Sequence, residues 1–154
     1  MIVFRIAKSK YKTDLSGTGA ELHGGRWNNK GTKLIYTASS RALAMVEVAV
    51  HVSFNILPKD YFLVSIEVPN SKMRGITEND LKDIHWKSNP PSYLTQDMGD
   101  TFVAEQKSLI LQVPSAVVPG DYNYLINPLH QDISKVKILN VESFDFDDRL
   151  FKTE

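Results

Sequence analysis

The segment from position 41 to 53 places the strongest constraint on how this chain folds. Every position from 42 to 52 is apolar except Glu47 and His51, and two serines precede the segment as candidate N-caps. This pattern predicts a helix over 41–53. A helix that is apolar on nearly all sides is expected to be buried on nearly all sides, which would remove Glu47 partly from water.

A buried carboxylate needs compensation, because burial without a partner disfavours the charged form. We therefore expect an arginine, a set of hydrogen-bond donors or a catalytic role to accompany Glu47. The alternative is an exposed stripe on which Glu47 and His51, spaced i and i+4, pair in solvent.

A glycine-rich segment precedes this helix. Residues 16–31 read SGTGAELHGGRWNNKG and contain five of the eight glycines, which predicts a long, tightly turned loop. Within it, the GGRWN segment (residues 24–28) places Arg26 after paired glycines, which permit the backbone to approach a neighbouring group closely. An arginine there can present a planar fork to phosphate or carboxylate. The alternative is a tight turn with a solvated Arg26 and a tryptophan that covers the core.

The remaining patterns predict more strands than helices. Alternation and β-branched content indicate strands over 2–6, 33–37, 61–68, 108–113 and 136–141, with helices near 79–86 and 93–106 and a loop over 114–128. Helices do not alternate regularly with strands, so an α+β fold is favoured over a doubly wound parallel sheet. Arg5 is expected on the non-core or inner face of the first strand, where a covered arginine requires an anionic partner. The alternative is an ordinary charge on an edge strand.

Composition excludes several classes of function. The 154 residues suit one domain over 1–154, and 18 basic residues against 18 acidic ones give no net charge to attract nucleic acid or anionic lipid. The absence of cysteine excludes disulfides and thiolate chemistry, and the four histidines lack metal-ligand spacing. No signal peptide or membrane-length apolar run is visible. We expect a cytoplasmic protein with no metal, no membrane association and no direct nucleic-acid partner.

These segments, taken in order, resemble one family across essentially the whole chain. The matching text is FRI at 4–6, the GGRWN segment, LIYTASSRALAMVEVAVH, LPKDYFLVSIEVP, SLILQVPSAVVPGDYNYLINP and the closing FDFDDRLF. It resembles the RES-domain toxins of bacterial toxin–antitoxin modules, which are paired with Xre-family antitoxins. Arg26, Glu47 and Ser115 match the arginine, glutamate and serine that name the family.

The resemblance implies an α+β, ADP-ribosyltransferase-like fold with mixed or antiparallel sheets and flanking helices. It implies NAD as the substrate and cleavage of the N-glycosidic bond between nicotinamide and ribose. Arg26, Glu47 and Ser115 carry over as catalytic residues. The residues implied to line the NAD site are Arg5, Arg26, Tyr36 and Asn127, with Tyr36 expected to stack on the nicotinamide ring.

Three functions stay open from the sequence. The first is a toxin that degrades NAD, with water or inorganic phosphate as the acceptor. The second is an ADP-ribosyltransferase that uses the same site to modify a specific protein. The third is a non-catalytic binding module of the same fold. The partner that the resemblance implies is an Xre-type antitoxin that blocks the pocket with a chain end.

Overall fold

A seven-stranded sheet organises this computed structural model, which describes residues 1–53 and 56–151. The strands are β1 (Ile2–Lys8), β2 (Ile35–Ala38), β3 (Tyr61–Glu67), β4 (Met73–Gly75), β5 (Ile110–Pro114), β6 (Tyr122–Ile126) and β7 (Lys137–Phe144). The helices are α1 (Thr18–His23), α2 (Arg41–Ala49) and α3 (Tyr93–Glu105). Short 3₁₀ turns occupy Ser9–Tyr11, Asn79–Leu81, Gln131–Lys135 and Asp148–Leu150.

The strand order is β4-β5-β6-β2-β1-β3-β7. The β4–β5 pair is parallel, and the other neighbouring pairs are antiparallel. This mixed sheet confirms the α+β prediction. The order also places β6 between β2 and β5, so residues that lie far apart in sequence meet at the middle of the sheet.

Three clusters of buried apolar side chains fix the elements around the sheet. One cluster joins Trp27, Phe102 and Leu111, and so packs α3 against β5 and the GGRWN segment. A second cluster lies along the central strands and includes Val64 and Ile110, both at most 1% exposed. Full burial of a side chain of this size stabilises the fold by about 1.5–3 kcal/mol.

A third cluster packs α2 against the sheet and the C-terminal segment. Leu43 and Ala44 of α2 share this cluster with Phe146 and Phe151. The Phe146 ring makes an edge-to-face contact with Phe151, with centroids 5.6 Å apart, and aromatic pairs prefer this geometry. The C-terminal aromatic residues therefore help to hold the helix that carries Glu47.

Helix α2 is shorter and less buried than its sequence predicts. It ends at Ala49, and Val50 is 52% exposed. Only Leu43 and Ala44 of the helix are buried, while Glu47 is half-buried. The expected burial on nearly all sides is wrong, because one flank of the helix borders a cavity instead of packed side chains.

Three other local predictions also needed correction. The expected loop over 114–128 contains β6, whose neighbouring prolines lie outside the strand and leave its ladder intact. The expected helix over 79–86 is only a 3₁₀ turn, fixed at its start by Asp80, which accepts from the Thr77 amide at 2.8 Å. The expected loop over 16–31 contains α1, bounded by Gly17 and Gly24 at φ angles of 75° and 69°.

Of the helices that the structure describes, none is long and apolar enough to span a membrane.

Candidate active site

A cavity of about 800 Å³ opens between α2, the GGRWN segment and the middle of the sheet. This volume lies in the range of small-molecule sites. The cavity wall carries both charged and polar side chains, among them Arg5, Arg26, Tyr36, Glu47, His51 and Asn123. The fold thus brings four of the six predicted site residues to one cavity: Arg5, Arg26, Tyr36 and Glu47.

Glu47 is held at the cavity wall by two neutral donors. Helix α2 begins at Ser40, whose hydroxyl accepts from the Leu43 amide at 3.0 Å, and Glu47 follows two turns later. Its Oε1 accepts from Ser115 Oγ and from Asn123 Nδ2, both at 2.7 Å. Among the described residues, no hydrogen bond to Oε2 and no ion pair with His51 is present. Hydrogen-bond donors are therefore the compensation that this carboxylate required.

Ser115 lies behind Glu47 and is completely buried. Its Oγ accepts from the amides of Val117 at 3.1 Å and Val118 at 3.0 Å while it donates to Glu47. Because two amides occupy the oxygen, the hydroxyl proton is directed to the carboxylate. The structure thus places Ser115 behind the cavity wall, where it orients Glu47.

Arg26 links the GGRWN segment to the chain that follows the 3₁₀ turn at 79–81. Its Nη1 donates to the carbonyl oxygens of Trp86 and, at 3.0 Å, Ser88. Partial burial lowers the pKa of the Arg26 guanidinium, and attraction to the Glu47 carboxylate offsets part of that effect. The side chain therefore borders the cavity and fixes the neighbouring segment, which contributes Asn89 to the cavity lining.

The Tyr36 hydroxyl forms hydrogen bonds with the GGRWN segment. It accepts from the Trp27 amide at 3.0 Å and donates to Asn28 Oδ1 at 2.7 Å. Burial raises the pKa of Tyr36, because the phenolate would lose its hydration. A Cβ on Gly25 would lie only 2.6 Å from this hydroxyl, which explains why glycine is required there. Tyr36 both lines the cavity and positions the loop.

Helix α3 holds the other side of the GGRWN segment. Gln96 Nε2 donates to the Gly25 carbonyl at 3.0 Å, and Asp100 accepts from the Asn29 amide at 3.0 Å. A Cβ on Gly99 would lie 1.6 Å from the Trp27 carbonyl oxygen, so backbone meets backbone at this point. These contacts hold the loop against α3, as a preorganised site requires.

Arg5 reaches the cavity from β1 and is mostly covered. Its Nη2 donates to the Tyr11 carbonyl at 3.1 Å, while Nε is buried without a partner among the described residues. Burial lowers the pKa of Arg5, and the negative charge of Asp14 offsets part of that effect. A covered guanidinium with an unused N–H is suited to pairing with an anionic ligand group.

Asn127 does not line the cavity, so its predicted place there is corrected. It is completely buried just beyond β6, where Nδ2 donates to the Val103 carbonyl at 3.1 Å and Oδ1 accepts from the Leu129 amide at 2.9 Å. These bonds tie the end of β6 to α3. Asn123 lies on the cavity instead, together with Leu125 on the same face of β6. Alternation along a strand at 122–126 would have indicated it.

The carboxylates and imidazoles of the described residues form no group of three or more that could hold a metal ion. The site therefore has one hydrogen-bonded carboxylate, two partly desolvated guanidinium groups and a loop that α3 holds in place. This combination can bind an anionic ligand and stabilise a positive charge that develops beside Glu47.

Comparisons with known proteins show which family the chain belongs to. The family model described as RES domain matches residues 2–147. The "Toxin Res" of Photorhabdus laumondii is 40% identical over 100% of this chain and 99% of its own length. The "Prs ADP-ribosylating toxin" of Sphingobium sp. is 37% identical, over 95% of this chain and 92% of its own.

The solved structures give the same answer for the fold. A chain of the M. tuberculosis MbcT–MbcA toxin–antitoxin complex aligns with a TM-score of 0.68 and 20% identity, over 97% of this chain and 86% of that one. This likeness shows that the two chains share one mixed α+β fold. From the family model and these relatives together, the chain belongs to the RES domain family.

Proposed function

We propose that this toxin of a toxin–antitoxin system degrades NAD by cleaving the N-glycosidic bond between nicotinamide and ribose. The observation that carries the proposal is the Glu47 carboxylate, held at the cavity wall by Ser115 and Asn123 with Oε2 unbonded among the described residues. Arg5 and Arg26 border the same cavity. A carboxylate and two cations in one pocket match a dinucleotide that is anionic at its pyrophosphate and cationic at its nicotinamide ring.

The reaction requires stabilisation of an oxocarbenium-like ribose. As the C1′–N bond breaks, its electron pair returns to the ring nitrogen and neutral nicotinamide leaves. The Glu47 carboxylate beside C1′ stabilises the positive charge that develops on the ribose. An oxygen of water or inorganic phosphate then forms the new bond to C1′, and with water the surplus proton passes to a base such as Glu47.

The two arginines serve binding in this proposal. Arg26 uses Nη1 to hold the Trp86 and Ser88 carbonyls, which leaves its other N–H groups for the pyrophosphate. Arg5 lines the same cavity and contributes a second positive charge there. Charge-assisted hydrogen bonds from guanidinium to phosphate are shorter and stronger than neutral ones. Arginine contacts would therefore anchor the pyrophosphate of the substrate.

The test is an assay of the purified protein with NAD, with and without inorganic phosphate. Nicotinamide release is followed, and the ribose product is identified by mass. We expect release by the wild-type protein, loss of release in Glu47→Gln, and no change in Glu142→Gln, which alters an exposed glutamate on β7. A free anomeric hydroxyl on the product identifies water as acceptor, and a phosphate identifies phosphorolysis. No release from folded wild-type protein contradicts the proposal.

ADP-ribosylation of a specific protein is the second candidate. The observation in its favour is the relative named "Prs ADP-ribosylating toxin", at 37% identity. The same site would serve, since only the nucleophile that reaches C1′ differs. Incubation of a bacterial lysate with NAD labelled in the adenylate half separates the two. Label that stays on one protein band only when Glu47 is intact favours transfer, and label in free ADP-ribose products favours degradation.

The third candidate is a non-catalytic binding module. Unlike the two enzymatic candidates, it predicts that toxicity does not require the Glu47 carboxylate. A Glu47→Gln protein that remains fully toxic on expression would support it. Loss of toxicity would instead indicate that toxicity depends on the carboxylate itself, because the substitution keeps the side chain's size and its contacts with Asn123 and Ser115 nearly unchanged.

For the partner, we propose an antitoxin of the Xre type that occupies the cavity with a chain end. A terminal carboxylate could pair with Arg5 and Arg26 as a phosphate would. The corresponding test compares the full-length antitoxin with one shortened at its C-terminus. Neutralisation that survives the truncation contradicts this mode of inhibition.

A further inference from the structure

We infer that Asn123 is a positioning residue, which orients the Glu47 carboxylate together with Ser115. The inference rests on the proposed function, because it assigns a role within the same site. Asn123 lies in β6, in register with Ala38 of β2 and Val113 of β5. Its side chain borders the cavity, and its Nδ2 donates to Glu47 Oε1 at 2.7 Å.

The surroundings of the amide fix its orientation. Asn123 Oδ1 is buried and has no hydrogen-bond partner among the described residues. A buried carbonyl without a partner is unfavourable. The reverse orientation is worse, because it would place Oδ1 against Glu47 Oε1 with two acceptors facing each other. The amide is therefore retained in a partly unsatisfied state as a donor to the Glu47 carboxyl group.

Asn123 and Ser115 donate to the same carboxylate oxygen, one from β6 and the other from the residue that follows β5. Ser115 follows β5, and its own oxygen is fixed by two backbone amides. Asn123 belongs to β6, which pairs with β5 through the register of Asn123 with Val113. One donor just beyond β5 and one on β6 thus fix the rotation of the Glu47 side chain and saturate Oε1. Oε2 is left for the reacting ribose.

This role predicts a defect in turnover with little change in substrate binding. In Asn123→Ala and in the isosteric Asn123→Asp, we expect kcat for nicotinamide release to fall by about 10-fold or more, with KM changed less than about threefold. The acid limb of the pH–rate profile should move to higher pH in Asn123→Ala. It should move further in Asn123→Asp, where a second carboxylate faces the first. Asn140→Ala, on an exposed part of β7, is the matched control and should behave as wild type.

A double-mutant cycle separates positioning from a general structural role. If Asn123 acts through Glu47, Asn123→Ala adds nothing in the Glu47→Gln background. Wild-type kcat and pH profile in Asn123→Ala, or effects that multiply with Glu47→Gln, would overturn the inference. If Asn123→Ala fails to fold, as judged by circular dichroism, the isosteric Asn123→Asp decides by the same criteria.

Failure of the proposed function can be distinguished from failure of this inference. In that case the wild-type protein releases no nicotinamide, and the variants are scored by growth arrest when expressed in bacterial cells. Loss of toxicity in Asn123→Ala to the level of Glu47→Gln, from equally abundant protein, supports the inference. Full toxicity of Asn123→Ala beside non-toxic Glu47→Gln overturns it.

Discussion

Ser115 Oγ donates a 2.7 Å hydrogen bond to Glu47 Oε1 and so joins two residues that lie 68 positions apart in the sequence. Because Ser115 is completely buried, its hydroxyl faces the back of the carboxylate and not the cavity. Glu47 and Ser115, two of the three residues that characterise the sequence, therefore form one hydrogen-bonded unit, in which the buried serine holds the carboxylate in place.

Ser115→Ala tests this unit. The substitution removes one donor to Glu47 and leaves the amides of Val117 and Val118 without their acceptor. A hydrogen bond to a charged group contributes about 1.5–3 kcal/mol, which corresponds to a loss of about 10- to 100-fold in kcat. Nicotinamide release measured against NAD concentration checks this. Ser134→Ala, at an exposed serine, is the control, and unchanged turnover in Ser115→Ala would contradict the assigned role.

Arg26→Lys separates charge from geometry. Lysine keeps the positive charge but lacks the planar fork with which Arg26 Nη1 holds the Trp86 and Ser88 carbonyls. We expect kcat/KM for NAD to fall by at least about 10-fold, as one charge-assisted hydrogen bond predicts. Limited proteolysis should also cleave the released segment near Ser88 faster than in wild type.

The control for Arg26→Lys is Arg74→Lys, since Arg74 forms a surface ion pair with Glu105 at 3.1 Å that lysine can replace. That variant should match wild type in both assays. If Arg26→Lys also retained wild-type kcat/KM, a positive charge alone would be sufficient at this position, and the geometric argument would fail.

The sequence indicated that Glu47 requires compensating partners, because the evidence for this requirement is local. An acidic residue in an apolar helix calls for compensation whatever the fold, and the structure supplies it through Ser115 and Asn123. The identity of those donors was not predictable from local pattern, because they lie 68 and 76 residues away. Their approach depends on β5 and β6 being neighbours in the sheet. The prolines around β6 indicated a loop, and that error concealed Asn123.

Asn127 and Tyr36 show a second limit of sequence reasoning. Both were assigned to ligand binding by resemblance, yet the polar atoms of Asn127 bond only within the protein, to Val103 and Leu129. The Tyr36 hydroxyl similarly bonds to the GGRWN segment, although the residue does line the cavity. Motif membership identifies a residue that the fold requires near the site. It does not reveal which way the side chain's hydrogen bonds run.

Tyr36 predicts an alkaline loss of stability. Burial raises the pKa of Tyr36 above the value of about 10 for an exposed tyrosine, so above pH 10 the folded protein binds more protons than the unfolded chain. This contribution to the free energy of unfolding is complete below pH 10. It is lost above pH 10 at up to about 1.4 kcal/mol per pH unit.

Urea unfolding at pH 8, 9, 10 and 11 measures the slope. Tyr36→Phe should be less stable than wild type at pH 8, because the Trp27 amide and Asn28 lose a partner, but its stability should decline less steeply above pH 10. Tyr122→Phe, in an exposed position on β6, is the matched control and should keep the wild-type slope. Equal slopes for Tyr36→Phe and wild type would show that Tyr36 ionises in the folded state.

Gly99→Ala tests how much the contact between α3 and the GGRWN segment contributes to the free energy of unfolding. In solvent-exposed helices this change is stabilising by up to about 1 kcal/mol, because alanine is the better helix former. Here the new Cβ would lie 1.6 Å from the Trp27 carbonyl oxygen, so α3 must move away from the segment that carries Arg26. We expect a net loss of about 3 kcal/mol in the free energy of unfolding. Gly75→Ala, with open space around its Cβ, should lose far less. Thermal and urea unfolding of both variants measure the change in the free energy of unfolding. A Gly99→Ala protein as stable as wild type would show that the stability of the fold does not depend on this contact.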